Sequence, residues 1–434
     1  MSESPKSRPP PRAMTWTAKR PQNSPLERVY QWLFDNQASL SFQAIAPFLL
    51  AHVCVPAMRP FTDPLFGLSY HNPQTGRYSA GFRDLCFVAF CIALCIGVRA
   101  FLMRRVLVPL GRACGVTKQK DLTRFSEQGW MLAYYSATWP LGMSPYFLNL
   151  EELWTGWPQK ELDGPMKVYV LVQWAYWIQQ VIVVNIEARR KDYKEMIIHH
   201  AITTSLIASA YAYYQTRAGH LILVLMDAVE LIFPLAKCLK YIGFTTVCDV
   251  VFGVFVVVWV MTRHVFYLMI CWSVYRDLPR IVAVPCYRGT AGDLQGPFPA
   301  PKEGWSHLLE PFYDPTGMVC FTNGIRTAFL VFLLALELVI CVWTFFILRV
   351  SVRVLKGGNA EDVRSDDEAE AKAETEEQSE YEEIEPLEQE VGVEAIDLTA
   401  ARRRNALHKS GLRLSSPSGR KEILNRIGCE KQID

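Results

Sequence analysis

The stretch Arg189-Arg190-Lys191-Asp192-Tyr193-Lys194-Glu195-Met196-Ile197-Ile198-His199-His200 opens the segment that decides the fold. It passes from a cationic collar straight into an apolar run. That run, Met196–Thr216, contains no Asp, Glu, Lys or Arg. A bilayer core needs about 20 apolar residues per helix, so the run reads as a membrane span with a charged entrance.

Seven more spans follow from the same test. Ala38–Met58, Gly129–Leu150 and Val168–Ile186 are free of those charges, and Leu85–Met103 carries only Arg99, expected to snorkel to the headgroups. Ala218–Ala236 holds Asp227 and Glu230, Phe244–Tyr275 holds Asp249 and Arg263, and Thr327–Leu348 holds Glu337. The long seventh segment is expected to kink or re-enter. The fold class is therefore all-α and polytopic, with about eight transmembrane helices. Lys and Arg concentrate in alternate loops, which places both termini in the cytosol by the positive-inside bias. With 45 Lys+Arg against 43 Asp+Glu and half the residues apolar, the 434-residue chain is neither disordered nor a dedicated nucleic-acid binder.

The expected organisation is a polar cytosolic arm (1–37), two spans with a cytosolic loop (38–128), a catalytic membrane domain (129–357) and a tail (358–434). Residues Glu361–Asp397 hold 17 acids and two bases, a composition that stays unfolded. Ser365 and Ser379 lie beside acids that suit an acid-directed kinase. Cys286 and Cys320 fall in or near one long loop, where a disulfide and two free thiols are both open.

Ionisable groups at membrane depth are costly and mark polar cavities. Asp192 with Glu195 reads as a capping box starting a helix near residue 193. His199 then lies about 10 Å into that helix. Adjacent residues diverge by about 100°, so one histidine can face a cavity while the other supports it. Asp227 and Glu230 share a face of the next helix, which a tight turn holds antiparallel. The expected arrangement has Asp227 against a histidine. Eight histidines and no zinc-type spacing give no metal site. What remains is acid/base or nucleophilic chemistry by histidine on a lipid-dissolved substrate.

The block Arg190-Lys191-Asp192 through His199-His200, Tyr211, Arg217-x-Gly219, Met226-Asp227, Glu230, Lys237 and Tyr241 resembles the longevity-assurance motif of ceramide synthases in the TLC-domain superfamily. Trp259-x-x-x-Arg263-His264 and the Gly304-Trp305 and Phe312-x-Asp314-Pro315-x-Gly317-Met318 elements resemble later parts of the fungal-type domain. The likeness covers about residues 165–357. It departs where the family often has His before the aspartate (Met226), Asp at Glu230 and Asn at Tyr214. The resemblance implies a helical ring around a lipid cavity in the endoplasmic reticulum membrane. It implies N-acylation of a sphingoid base with acyl-CoA as co-substrate and no bound cofactor. It also implies a small single-span regulatory subunit and homo- or heterodimers with a paralogue as partners.

On this reading His199, His200 and Asp227 carry the chemistry, as general base or through an acyl-imidazole. Glu230, Arg217, Tyr211, Asp192, Arg263 and His264 support it. Arg189, Arg190, Lys191 and Lys194 could hold the CoA phosphates. The competing reading is a non-catalytic TLC-type protein that senses or carries lipid. An ion pathway fits less well, because the polar residues cluster on few spans. Because the tail cannot bury a core, deleting residues 361–434 is expected to leave a measurable rate. A folded but wholly inactive truncation, assayed by lipid mass spectrometry, would join the tail to the catalytic machinery.

Overall fold

The computed structural model describes residues 25–143, 150–186, 192–282, 286–301 and 306–356. Arg189, Arg190, Lys191, Gly304-Trp305, Ser365 and Ser379 lie outside the described residues, as does the whole tail from residue 357.

The described chain is helical, in the order α1 (Pro25–Cys54), α2 (Arg59–Phe66), α3 (Asp84–Leu102), α4 (Val108–Ala113), α5 (Gln119–Gly142), α6 (Gly164–Ile186), α7 (Tyr193–Ala212), α8 (Thr216–Tyr241), α9 (Thr245–Val260), α10 (Tyr267–Arg276), α11 (Leu278–Ile281), α12 (Ser306–Tyr313) and α13 (Asn323–Leu355). Two short β elements, β1 (Tyr78–Ser79) and β2 (Glu161–Leu162), pair antiparallel. A second sheet has the order β4 (Leu294–Phe298), β3 (Cys286–Gly289), β5 (Val319–Cys320).

Five helical segments among the described residues are long and apolar enough to cross a membrane: Asp35–Cys54, Asp84–Ala113, Gly164–Ile186, Thr245–Ile281 and Asn323–Leu355. α5, α7 and α8 have 24, 20 and 26 residues, so length does not exclude them. Their apolar signal is diluted by residues such as Arg124, Glu127, His199, Asp227 and Glu230, which turn inward. Outward faces are apolar: Val247, Val250, Val254 and Val257 form an exposed stripe along α9.

Element boundaries differ from the sequence reading where proline or capping chemistry intervenes. α1 already begins at Pro25, so residues 25–37 of the expected arm are helix, and Pro56 ends the straight run that follows. α5 starts ten residues earlier than the apolar span, because its first turns are an amphipathic cytosol-type sequence with Lys120, Asp121 and Arg124. The overlong seventh segment neither re-enters nor breaks. A π-helical turn, Met261–Phe266, joins α9 to α10 and absorbs one extra residue per turn.

α8 packs against α5, α7 and α9, α6 against α3 and α7, and α13 against α7 and α10. The ends of α5, α7, α8 and α13 that carry Arg124, Asp192, Lys237 and Ile347 meet around one cavity, here the basic end of the bundle. At the opposite, outer end, a fully buried ion pair pins three helices. Lys167 Nζ lies 2.7 Å from Asp84 Oδ1, with the side chains 0% and 1% exposed. Lys167 also donates to the carbonyls of Ser69 (2.9 Å) and Ser79 (2.6 Å). Asp84 Oδ2 accepts from the Tyr211 hydroxyl (2.8 Å) and the Gly81 N–H (2.9 Å). Both charges are paired and each has further hydrogen bonds, the condition under which a buried pair is tolerated.

Also at this end, Cys286 and Cys320 are disulfide-bonded and stand opposite each other between β3 and β5. Lys160 donates to the Pro315 carbonyl (2.9 Å) and sits 4.2 Å over the Tyr214 ring, and burial pulls its pKa down to about 8. Removing one partner of a buried pair leaves the other charge uncompensated, at a cost of about 3–5 kcal/mol. Asp84→Ala and Lys167→Met are therefore each expected to lower the unfolding temperature of the detergent-solubilised protein sharply. Tyr211→Phe, which removes one hydrogen bond, should do so far less.

Candidate active site

α7 begins at Tyr193, as the sequence requires, and the Met196 N–H donates to the Asp192 carbonyl (2.9 Å). The Asp192 side chain does not cap the helix, so the expected capping box is not formed. Asp192 is instead buried and faces the cavity at the basic end.

His199 and His200 are buried, 7% and 2% exposed. Aromatic packing fixes them. Trp177 meets the His199 ring edge-on at 5.2 Å, and Trp343 meets it at 5.0 Å from another side. His200 lies 5.3 Å from Trp177 and 5.7 Å from His199, ring centre to ring centre. Neither histidine Nδ1 has a hydrogen-bond partner among the described residues. Buried polar atoms are almost always paired in native proteins, so these two nitrogens are exceptions, and they lie beside the cavities.

Asp227 does not contact either histidine. Its Oδ2 accepts from the Tyr169 hydroxyl (2.6 Å) and from Gln173 Nε2, both on α6. Two neutral donors at i and i+4 on α6 satisfy this oxygen and draw the carboxylate away from the imidazoles. Asp227 Oδ1 is buried without a partner and lines the cavity that His199 also lines.

One turn later, Glu230 Oε1 accepts from Arg263 (3.1 Å), which also donates to the Met226 carbonyl (3.1 Å) and contacts Met226 Sδ. Arg263 sits in the π-helical turn. Its neighbour His264 points the other way, to α13, with Nδ1 2.7 Å from Glu337 Oε1 and Nε2 2.8 Å from Thr344 Oγ1. The Thr344 hydroxyl donates to the Ile340 carbonyl (2.9 Å), so it must accept from His264 Nε2–H. His264, Glu337 and Cys341 are the one cluster of three metal-type donors among the described residues. Both imidazole nitrogens of His264 are already engaged, so the cluster fits a hydrogen-bonded clamp better than a metal site.

Two cavities meet at His199. A wider vestibule at the basic end has an empty volume of about 1730 Å³, its open mouth included, and is lined by Arg99, Arg124, Glu127, Asp192, Lys237 and Tyr241, with His200 among largely apolar walls. An apolar cavity with an empty volume of about 900 Å³ runs toward the outer end between Leu206, Ile207, Ile222, Leu223, Leu333 and Leu336. Trp177, His199, Glu230 and Arg263 line both. The site thus sets a vestibule carrying four bases and three acids beside an apolar chamber, with His199 in the wall of both.

The structure brings His199, His200, Asp227, Glu230, Arg263 and Asp192 around these cavities. It does not bring Tyr211, Arg217, His264 or Lys194 to them. Tyr211 serves the Asp84 network, and Arg217 donates to the Glu152 carbonyl (2.9 Å) at the outer end. Lys194 is exposed beyond the vestibule lining. Arg99 does not snorkel outward but is buried, 5% exposed, in the vestibule wall. Sequence reasoning missed Tyr169, Gln173, Trp177 and Trp343. Gln173 carried a usable signal, a neutral polar residue inside an otherwise apolar span.

A family model described as TLC domain matches residues 124–349. The chain is 51% identical over 323 residues to a ceramide synthase of Gibberella moniliformis, covering 73% of this chain and 75% of that protein. It is 39% identical over 364 residues to a sphingosine N-acyltransferase-like protein of Alternaria alternata, covering 82% and 81%. It is 34% identical over 343 residues to the sphingosine N-acyltransferase lag1 of Schizosaccharomyces pombe, covering 78% and 80%. The chain belongs to the TLC-domain ceramide synthase family. Both cavities lie within the matched TLC domain apart from Arg99.

The hydrogen bonds to Asp227 give a direct test of this geometry. Tyr169→Phe removes one of its two donors at a site that stays packed. Turnover is expected to fall roughly tenfold, the size of one charge-assisted hydrogen bond, with little change in KM. Unchanged turnover in a well-folded variant would separate Asp227 from the chemistry.

Proposed function

We propose that this TLC-domain protein is a ceramide synthase, transferring a fatty acyl group from acyl-CoA to the amine of a sphingoid base. The observation that carries this reading is the position of His199, shared by a base-bearing vestibule and an apolar cavity. An acyl-CoA has the matching form, an anionic head and a hydrocarbon tail joined at the thioester. Arg99, Arg124 and Lys237 would face the phosphates, and the tail would run past His199 into the apolar chamber. By sequence alone, Arg189, Arg190 and Lys191 remain proposed phosphate contacts; Lys194, exposed beyond the vestibule lining, does not.

The incoming amine is largely protonated at neutral pH. The partnerless Asp227 Oδ1 is a counter-charge for that ammonium inside the chamber. The ammonium first gives up one proton to water. As the freed amine nitrogen attacks the thioester carbon, His199 or His200 takes a second proton from that nitrogen, and the C–N bond forms as the C–S bond breaks. The proton on the imidazole then passes to the departing thiolate, giving free CoA and an amide. Arg263, beside His199 and balanced by Glu230, faces the charge that develops on the carbonyl oxygen. In the acyl-imidazole variant the histidine nitrogen attacks first, and the amine displaces it. Acyl-CoA alone, followed by intact-protein mass, separates the two: an added acyl mass marks the second route.

The proposed topology has eight spans forming a ring, α5, α7 and α8 included, with both termini cytosolic in the endoplasmic reticulum membrane. The basic end then faces the cytosol, where acyl-CoA is found, and this follows the positive-inside bias. A small single-span regulatory subunit, dimers with itself or a paralogue, and a tail tuned through Ser365 and Ser379 belong to the same proposal.

Purified full-length protein with acyl-CoA and sphinganine should yield dihydroceramide by mass spectrometry. Alanine at His199 or at His200, and Asp227→Asn, are each expected to lower turnover by about 10²-fold or more. The double histidine variant should be little worse than the worse single one, since groups acting as a unit lose activity non-additively. Glu230→Gln should be milder. Near-full turnover in both well-folded single histidine variants would place the acyl transfer elsewhere.

A further inference from the structure

The apolar cavity has one polar group at its outer end that the chemistry above does not use. Gln215 stands at the turn between α7 and α8 and lines the cavity with Trp154, Leu278 and Phe321. It is 5% exposed. Its backbone is fully engaged: the N–H donates to the Ala210 carbonyl (2.8 Å), and the carbonyl accepts from Gly219 (3.1 Å). Its side chain is not. Nε2 is buried with no partner among the described residues, and the side chain does not cap α8.

The surrounding polar groups are committed elsewhere. Trp154 Nε1 donates to Ser273 Oγ (2.8 Å), and Trp157 Nε1 donates to the Tyr213 carbonyl (2.9 Å). The Tyr214 hydroxyl donates to the Pro315 carbonyl (3.0 Å). A buried amide left unpaired costs about 1–3 kcal/mol. At this position a leucine would close the chamber without that cost.

We infer that the outer end of the apolar cavity is a subsite for an oxygen-bearing chain terminus, such as an ω-hydroxyl, bonded by the Gln215 side-chain amide. The inference rests on the acyltransferase reading, which sets the thioester at His199. From there α7 runs to Ala212, 13 residues further on, a rise of about 20 Å. A chain long enough to span that distance brings its last atoms to Gln215. A shorter chain leaves its terminal oxygen among leucines, where an unpaired hydroxyl is penalised. The subsite therefore reads two properties together, chain length and terminal polarity.

The test uses purified full-length protein, sphinganine, and paired plain and ω-hydroxy acyl-CoAs of matched length across a series. The ratio of kcat/KM for the ω-hydroxy chain to that for the plain chain should peak at one length. The peak should stand roughly threefold to tenfold above the ratio for shorter chains, the worth of one net hydrogen bond. In Gln215→Leu the peak should vanish. A flat ratio in the wild type overturns the inference, and so does a peak that survives in Gln215→Leu. The wild-type series decides alone if that variant does not fold. Absence of turnover with every acyl-CoA overturns the acyltransferase reading, and this inference with it. Turnover with a flat ratio overturns the inference alone.

Discussion

A carboxylate buried at membrane depth must be hydrogen-bonded or neutralised, and the way Asp227 meets that demand organises the centre of this protein. Its Oδ2 is held by Tyr169 and Gln173. Those two residues lie one helical turn apart on α6, so the bonds fix α6 against α8 in both height and rotation. With α6 fixed, Trp177, one further turn along, reaches both histidines. With α8 fixed, Glu230 faces Arg263, and the π-helical turn of the next segment is held in place. The unsatisfied Oδ1 is the part of the carboxylate that the scaffold leaves to the cavity.

The second organising feature is a division of labour between neighbouring residues. His199 touches both cavities while His200 touches only the vestibule. Arg263 faces inward to Glu230 while His264 faces outward to Glu337 and Thr344. In each case the angular step between adjacent helical residues turns the two side chains to different surroundings. His264 lines neither cavity, but its bonds to α13 hold the rotation that aims Arg263. For Arg263 this lock matters more than usual, because a π-turn lacks the regular i to i−4 ladder that would otherwise set its direction.

Much of this was legible in the chain. The charge-free run Met196–Thr216 located α7 to within four residues at each end, and the His pair and Asp227 were singled out by the cost of polar groups in lipid. Other features were not legible, for definite reasons. Counting only ionisable groups hid Tyr169 and Gln173, whose neutral side chains satisfy the aspartate more cheaply than an imidazolium would. Tyr211 and Arg217 share the motif with the histidines but stand at the outer end: Tyr211 lies 12 positions, about 18 Å, along α7 from His199, and Arg217 opens α8 just past the turn that follows. Arg99 sits near a span end, where snorkelling is the usual outcome. Only the inward face of α3 shows that its guanidinium turns into the vestibule. Whether Cys286 and Cys320 pair depends on a strand register that no spacing rule supplies.

The same polar residues that make the site also blur the spans that carry it. α5, α7 and α8 line the vestibule and cavity, and they are the three long helices left out of the five most apolar segments. α9 and α13, which present broad apolar faces outward, are among the strongest. α6, α9 and α13 also line the cavities, through Trp177, Trp259, Leu333 and Trp343, so what separates the two sets is the polarity of the inner face and not whether a helix borders the chamber. A low apolar content within a polytopic chain is then informative in its own right. It marks the helices that bring most of the ionisable groups to the chamber, and in this protein α5, α7 and α8 supply Arg124, His199, His200, Asp227, Glu230 and Lys237.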